Sequence, residues 1–179
     1  MNKTDIINQT LILMGQGVVV EPSNEVIINK VYDIVKERML RSHPWACAKK
    51  EYVLDHTLND NPLFKYTYKF TIPSDCVRVI AKFEDDAEVA RKGKYLFSDA
   101  EVLKFTGITS IAENEFTADL ASLFSLNLAC ECVMAYTGDK KLKEMLMKEK
   151  EMLERRVKQE DLKESSEEEI TYECDWGAR

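Results

Sequence analysis

The 179 residues suffice for one domain, or for one domain with a small insertion. Apolar residues make up 45% and charged residues 32%, which supports a buried core and excludes a wholly disordered chain, while six Gly and four Pro exclude collagen-like or linker-dominated structure. The 25 Lys and Arg against 32 Asp and Glu leave a net charge of −7, the opposite of the balance expected of a nonspecific duplex binder.

No apolar run approaches the roughly 18 residues of a membrane span. The start Met1-Asn2-Lys3-Thr4-Asp5 lacks the charged and apolar regions of a signal peptide. The expectation is a chain that needs no membrane.

The first helix follows from Ile6, Ile7, Thr10, Leu11 and Met14, one stripe of a 3.6-residue period. Thr4 is its expected cap, Asp5 sits in the first turn, and Gly15 and Gly17 stop it. A second helix follows Pro22-Ser23-Asn24-Glu25, with the stripe Ile28, Val31, Tyr32, Val35 and Met39 backed by Ile27 and Ile34. It ends near Ser42, because Pro44 disfavours helical geometry at His43.

The period then changes to two. Tyr66, Tyr68, Phe70 and Ile72 alternate with Lys65, Thr67, Lys69 and Thr71, and Pro73-Ser74-Asp75 breaks the strand. Val77, Val79, Ala81 and Phe83 alternate again, and Asp85-Asp86 reads as a turn. Val89 and Arg91 open a short strand, Gly93 turns the chain, and Tyr95-Leu96-Phe97 follow. Leu103, Phe105 and Ile108 mark a last strand in which Gly107 reads as a bulge or close approach. Residues 49–54 read as a further edge strand.

Helical periodicity returns at Thr117, the expected cap of a third helix with Asp119 in its first turn. From Leu120 to Tyr136 the segment is apolar nearly all round, the pattern of a central helix, and Gly138 ends it. Asp139 caps a fourth helix running to about residue 164. Its thin stripe is Leu142, Met145, Leu146, Met152, Leu153 and Val157, and the rest is charged, with Glu144/Lys148, Glu151/Arg155 and Glu154/Lys158 at i, i+4.

The expected fold class is α+β, mainly α. A four-helix bundle spans 1–47 and 113–164, an antiparallel β region is inserted at 48–112 between helices 2 and 3, and the last helix is long and charged. Residues 165–179 form a distinct acidic tail: Glu167, Glu168, Glu169, Glu173 and Asp175 against Arg179 give it −4 of the total charge. Ile170, Tyr172 and Trp176 make it a docking segment in this reading, since an acidic stretch with spaced aromatics has no core of its own. The residues expected at a partner interface are therefore Leu142, Met145, Met152, Leu153, Val157, Ile170, Tyr172 and Trp176.

Five cysteines, an odd number in a chain of this size, argue for a reducing compartment and against a disulfide framework. No Cys-x-x-Cys occurs, Cys130 and Cys132 fall on different helix faces, and His43 and His56 have no ligand-spaced partner, so neither a metal nor a cofactor is expected. Gly15-x-Gly17 follows a helix and fails the phosphate-loop context. Cys47 and His43 share a short segment, which reads as a structural turn with Trp45 packed inward. Lys49, Lys50 and the Arg91-Lys92-Gly93-Lys94 cluster read as solvated charges rather than a DNA-reading surface.

Several stretches together resemble a known family. Leu13-Met14-Gly15-Gln16-Gly17 ends the first helix; Trp45 and Glu51-Tyr52-Val53-Leu54 follow the second. Then come Tyr68-Lys69-Phe70-Thr71-Ile72-Pro73-Ser74-Asp75-Cys76-Val77-Arg78-Val79 and Arg91-Lys92-Gly93-Lys94-Tyr95-Leu96-Phe97. In this order they resemble the tail tubular protein A family of short-tailed bacteriophages, the head–tail adaptors, over about residues 3–160. The acidic aromatic tail has no counterpart in that pattern, and the β region is short for it.

The resemblance implies a non-enzymatic structural ring of twelve identical subunits in a virion assembled in the bacterial cytoplasm. The ring docks below the portal protein and above the tail nozzle or tail tube protein, and genome DNA passes through it without sequence-specific binding. The negative balance fits such a channel, since a basic wall would hold DNA. The alternatives are another head-completion or tail virion protein and, further off, a tail-associated hydrolase.

Overall fold

The computed structural model describes residues 1–18, 25–55, 65–83 and 88–167. It is mixed α/β, with four helices and two small antiparallel sheets. The helices are α1 (Lys3–Leu13), α2 (Val26–Ser42), α3 (Ala118–Tyr136) and α4 (Lys140–Glu167). Between α2 and α3 run β1 (Lys49–Asp55), β2 (Tyr68–Thr71), β3 (Cys76–Phe83), β4 (Ala90–Lys92), β5 (Tyr95–Ser98) and β6 (Val102–Thr109). The chain forms two compact units, Met1–Val35 with Glu113–Arg179, and Lys36–Ala112. The sequence pattern puts the first boundary at 47/48; contacts divide the chain inside α2, at 35/36.

In the first unit α3 is the hub. Thr117 caps it, accepting from Leu120 N at 3.3 Å. Leu120, Ala121, Leu123, Phe124, Leu128, Ala129 and Val133 are all buried, as its unbroken apolar pattern requires. By length and composition α3 would also serve as a membrane span, which a count of consecutive apolar residues misses because Asp119, Ser122, Ser125, Asn127 and Glu131 interrupt the run; most of it is covered by the protein itself. Phe124 meets Tyr32 of α2 edge-on at 5.0 Å and Phe116 at 5.9 Å. On α1, Thr10 Oγ1 donates to Ile6 O at 2.8 Å and reaches Ser125 O at 3.2 Å, so a buried hydroxyl is satisfied at the α1–α3 contact. Gly138, at φ +66°, reverses the chain into α4, whose start Asp139 caps by accepting from Lys141 N and Leu142 N. Arg156 of α4 lies 3.6 Å from Asp119 at the start of α3, so the two helices run antiparallel.

The cap of α1 differs from expectation. Asn2, not Thr4, is the N-cap: its side chain accepts from Asp5 N at 2.9 Å, and the Asp5 carboxylate accepts from Asn2 N at 2.9 Å, a reciprocal capping box. Ile27 and Ile34 also depart from the pattern, at 39% and 59% exposed, because the buried line of α2 runs through Ile28, Tyr32, Val35 and Met39.

In the second unit the sheets have orders β1-β6-β3 and β2-β5-β4. β1 is an edge strand, registered from Lys49↔Ile108 to Asp55↔Val102. Tyr68–Thr71 alone of the alternating 65–72 stretch pairs as a strand. Tyr52, Phe70, Leu96, Leu103 and Phe105 form a core drawn from both sheets, and the Tyr52 and Phe105 rings stack at 5.2 Å. Trp45 is fully buried, its indole N–H donating to Met39 O at 2.9 Å. The Asp85-Asp86 turn and His56 lie outside the described residues.

Candidate interaction site

α4 carries the residues expected at a partner interface, and the structure separates them. Val157 is 3% exposed, so it packs inside its own subunit and is not offered to a partner. Leu142 and Leu153 are half-buried along the same line, together with the buried Leu146. Met145 and Met152 face outward, at 58% and 68% exposed. The reason is geometric: seven residues apart, they lie roughly a quarter turn away from the line Leu142–Leu146–Leu153–Val157. Met147 and Leu162 are exposed as well. Of the expected ion pairs, Glu154–Lys158 closes at 2.6 Å. Ile170, Tyr172 and Trp176 lie outside the described residues.

On the other flank of that buried line, away from Met145 and Met152, a groove of about 390 Å³ is lined by Cys130, Glu131, Lys143, Met147, Lys150, Glu151 and Glu154. Its walls carry both charge signs. Burial pushes the Cys130 thiol up, so the groove holds a protonated, poorly nucleophilic sulfur.

A second exposed apolar set escaped the sequence reading. Ile12 of α1 and Val26, Ile27 and Ile34 of α2 are all exposed, as is Val18. The signal was present at Ile27 and Ile34, since their positions flank a buried stripe that four other residues already fill.

In the second unit, Asp75 of the Pro73-Ser74-Asp75 turn gathers three strands. Its carboxylate accepts from Lys50 Nζ of β1 at 2.8 Å, from Tyr52 OH at 3.3 Å and from Thr109 Oγ1 of β6 at 3.3 Å. The Lys50 ammonium holds the Asp75 carboxyl below the usual carboxylate range, and Asp75 in turn raises Lys50. Gly107 sits in the same place. A Cβ there would meet Cys76 Sγ and Tyr52 Cε2 at 3.0 Å and Arg78 O at 3.2 Å, so the glycine is a close approach; the register shift lies in β3, between Cys76 and Arg78.

The Arg91–Phe97 stretch forms the β4–β5 hairpin, turned by Gly93 at φ +58°. Lys69 Nζ lies 4.1 Å and Lys94 Nζ 5.5 Å from the Tyr95 ring centroid. Arg91, Lys92 and Lys94 are exposed.

His43 packs its ring against Trp45 at 4.6 Å, T-shaped, and is itself buried. Cys47 is half-buried. Among the described residues, no group of three or more His, Cys, Asp and Glu is placed to hold a metal ion. No family model matches the sequence, and no curated protein matches it.

Proposed function

We propose that the protein is a structural head–tail adaptor of a tailed bacteriophage or prophage. Copies of it form a twelve-membered ring between portal and tail, and the genome passes through without being read. In this reading α1 to α4 act as a four-helix bundle that makes the side-to-side contacts, and the strands inserted between α2 and α3 form a rigid platform. The chain performs no bond-making step; it is a virion component assembled in the bacterial cytoplasm, with the portal above it and the tail nozzle or tube below.

One observation carries the proposal. Two of the stretches that bear the family resemblance are the turn that clasps β1, β3 and β6, and the β4–β5 hairpin; both lie in the chain between two helices and two more. The exposed Met145 and Met152 support it further, since flexible apolar side chains on an otherwise charged helix suit a protein contact. The negative net charge is compatible with a channel that does not hold DNA.

The test is mass by light scattering of the chain with the purified portal ring from the same viral genome. A portal-bound complex with copies closed in a ring is expected. Failure to bind that portal overturns the reading. A monomer in isolation does not, because ring closure then awaits the portal template.

A further inference from the structure

Two exposed apolar pairs in the helical unit share one spacing. On α2 they are Ile27 and Ile34, and on α4 they are Met145 and Met152. Seven residues span about 10.5 Å of helix in each case. Each pair frames one exposed charge of opposite sign. At three and four residues, Lys30 stands among Val26, Ile27, Asp33 and Ile34, and Glu149 among Met145, Leu146, Met152 and Leu153. Among the described residues, neither charge has an ion-pair partner in its own copy. Lys30 lies about 50° to one side of the Ile27–Ile34 line, and Glu149 about 50° to the other side of the Met145–Met152 line.

The fold sets the two faces in the same direction and at the same height. Tyr136, the last residue of α3, donates to Glu25 just ahead of α2, and Tyr32 meets Phe124 nearer the start of α3, so α2 runs antiparallel to α3. α4 does the same, with Arg156 at Asp119, so α2 and α4 are parallel to each other. Both pairs stand beside the middle of α3, since Tyr32 reaches Phe124 and Met147 shares a groove with Cys130. Phe124 and Cys130 lie about 120° apart around α3, so the two faces point in different directions and one copy does not close them on itself. Parallel helices that face each other bring opposite flanks together: Lys30 then meets Glu149, while Ile27 and Ile34 meet Met145 and Met152. An antiparallel approach would set Lys30 beside Lys148 instead.

We propose that the Ile27–Ile34 face of α2 in one copy packs on the Met145–Met152 face of α4 in the next, with Lys30 paired to Glu149. The inference rests on the ring reading, because a contact between two different patches at one height, repeated by every copy, closes a ring.

The test uses the full chain with two charge reversals, K30E and E149K, both at exposed positions, so the melting midpoint stays that of the natural chain. Self-association is followed by light scattering up to millimolar concentration. Each variant alone associates at least about tenfold more weakly than the natural chain, since like charges then meet. An equimolar mixture of the two recovers association, because the α2 of each variant then meets the α4 of the other. A natural chain that stays monomeric throughout overturns the proposal, and so do single variants that associate as the natural chain does. A mixture that fails to recover also overturns it and assigns the two faces to separate contacts. Portal binding that persists through any of these failures leaves the adaptor reading standing. Association that follows the expected pattern without portal binding keeps this contact and drops the adaptor reading, so the two fail separately.

Discussion

Lys50 Nζ and Asp75 Oδ2 meet at 2.8 Å across the width of a three-stranded sheet, one at its β1 edge and the other in the turn entering β3. The central strand joins the same carboxylate through Thr109. The contact thus fixes the turn to both other strands. Both partners are about half exposed, so its role is local geometry more than bulk stability.

Asp75→Asn gives a pH-dependent test. The folded carboxyl titrates below its ordinary value of 3.8, so its contribution is fully present above that value and is lost as pH falls through the lower, folded value. The variant is expected to melt below the natural chain at pH 7, and the gap should close on acidification below about 4. Thermal melts followed by circular dichroism from pH 2 to 7 check it; a gap independent of pH would assign the effect to packing.

Gly107→Ala is expected to destabilise by about 1–3 kcal/mol, because one of the three atoms in the way is the Arg78 carbonyl of the backbone, which cannot swing aside. Denaturant titration measures the loss. Cys76→Ala in the same background removes the sulfur but not the carbonyl, so it should recover only part of it.

Phe124→Ala is expected to cost about 3–5 kcal/mol, since the ring is fully buried and touches both Tyr32 and Phe116. Phe124→Asp should not fold at all, as it buries an unpaired charge. Met152→Asp, on the exposed side of α4, should leave the melting midpoint unchanged while weakening portal capture.

Burial pushes the Cys132 thiol up to about 11. The unfolded chain ionises this group from its ordinary value of 9.0, whereas the folded chain keeps the proton, so stability falls as pH rises from about 9 to about 11. Alkylation at pH 8.5, read by mass spectrometry, should label the half-buried Cys47 well before Cys132.

Elements whose ends are set by local chemistry were legible in the sequence. Thr117 and Asp139 cap, Gly15, Gly93 and Gly138 take the left-handed backbone, and each marks a boundary where the pattern predicts one. Alternation located β3, β5 and β6. Asn2 and Thr4 both have capping side chains, and what decides between them is Asp5 standing three after Asn2. Asp75 was legible as a turn residue, but a turn acid looks the same in sequence whether it bonds locally or across a sheet. On α4 the apolar positions outnumber the buried ones, and only the helical angle tells Met152 from Val157. That Lys69, Lys92 and Tyr95 share a sheet face with the buried Phe97 depends on strand register, which alternation alone does not fix.

Trp45 is sealed from solvent with the His43 imidazole against its ring. The chain's other tryptophan is Trp176. Replacing Trp176 with Phe therefore leaves a single tryptophan, excitable apart from the tyrosines at about 295 nm, inside the Lys36–Ala112 unit. Its emission then reports the unfolding of that unit alone, while far-ultraviolet dichroism follows the helices, so the cooperativity of the two halves becomes a directly observable quantity.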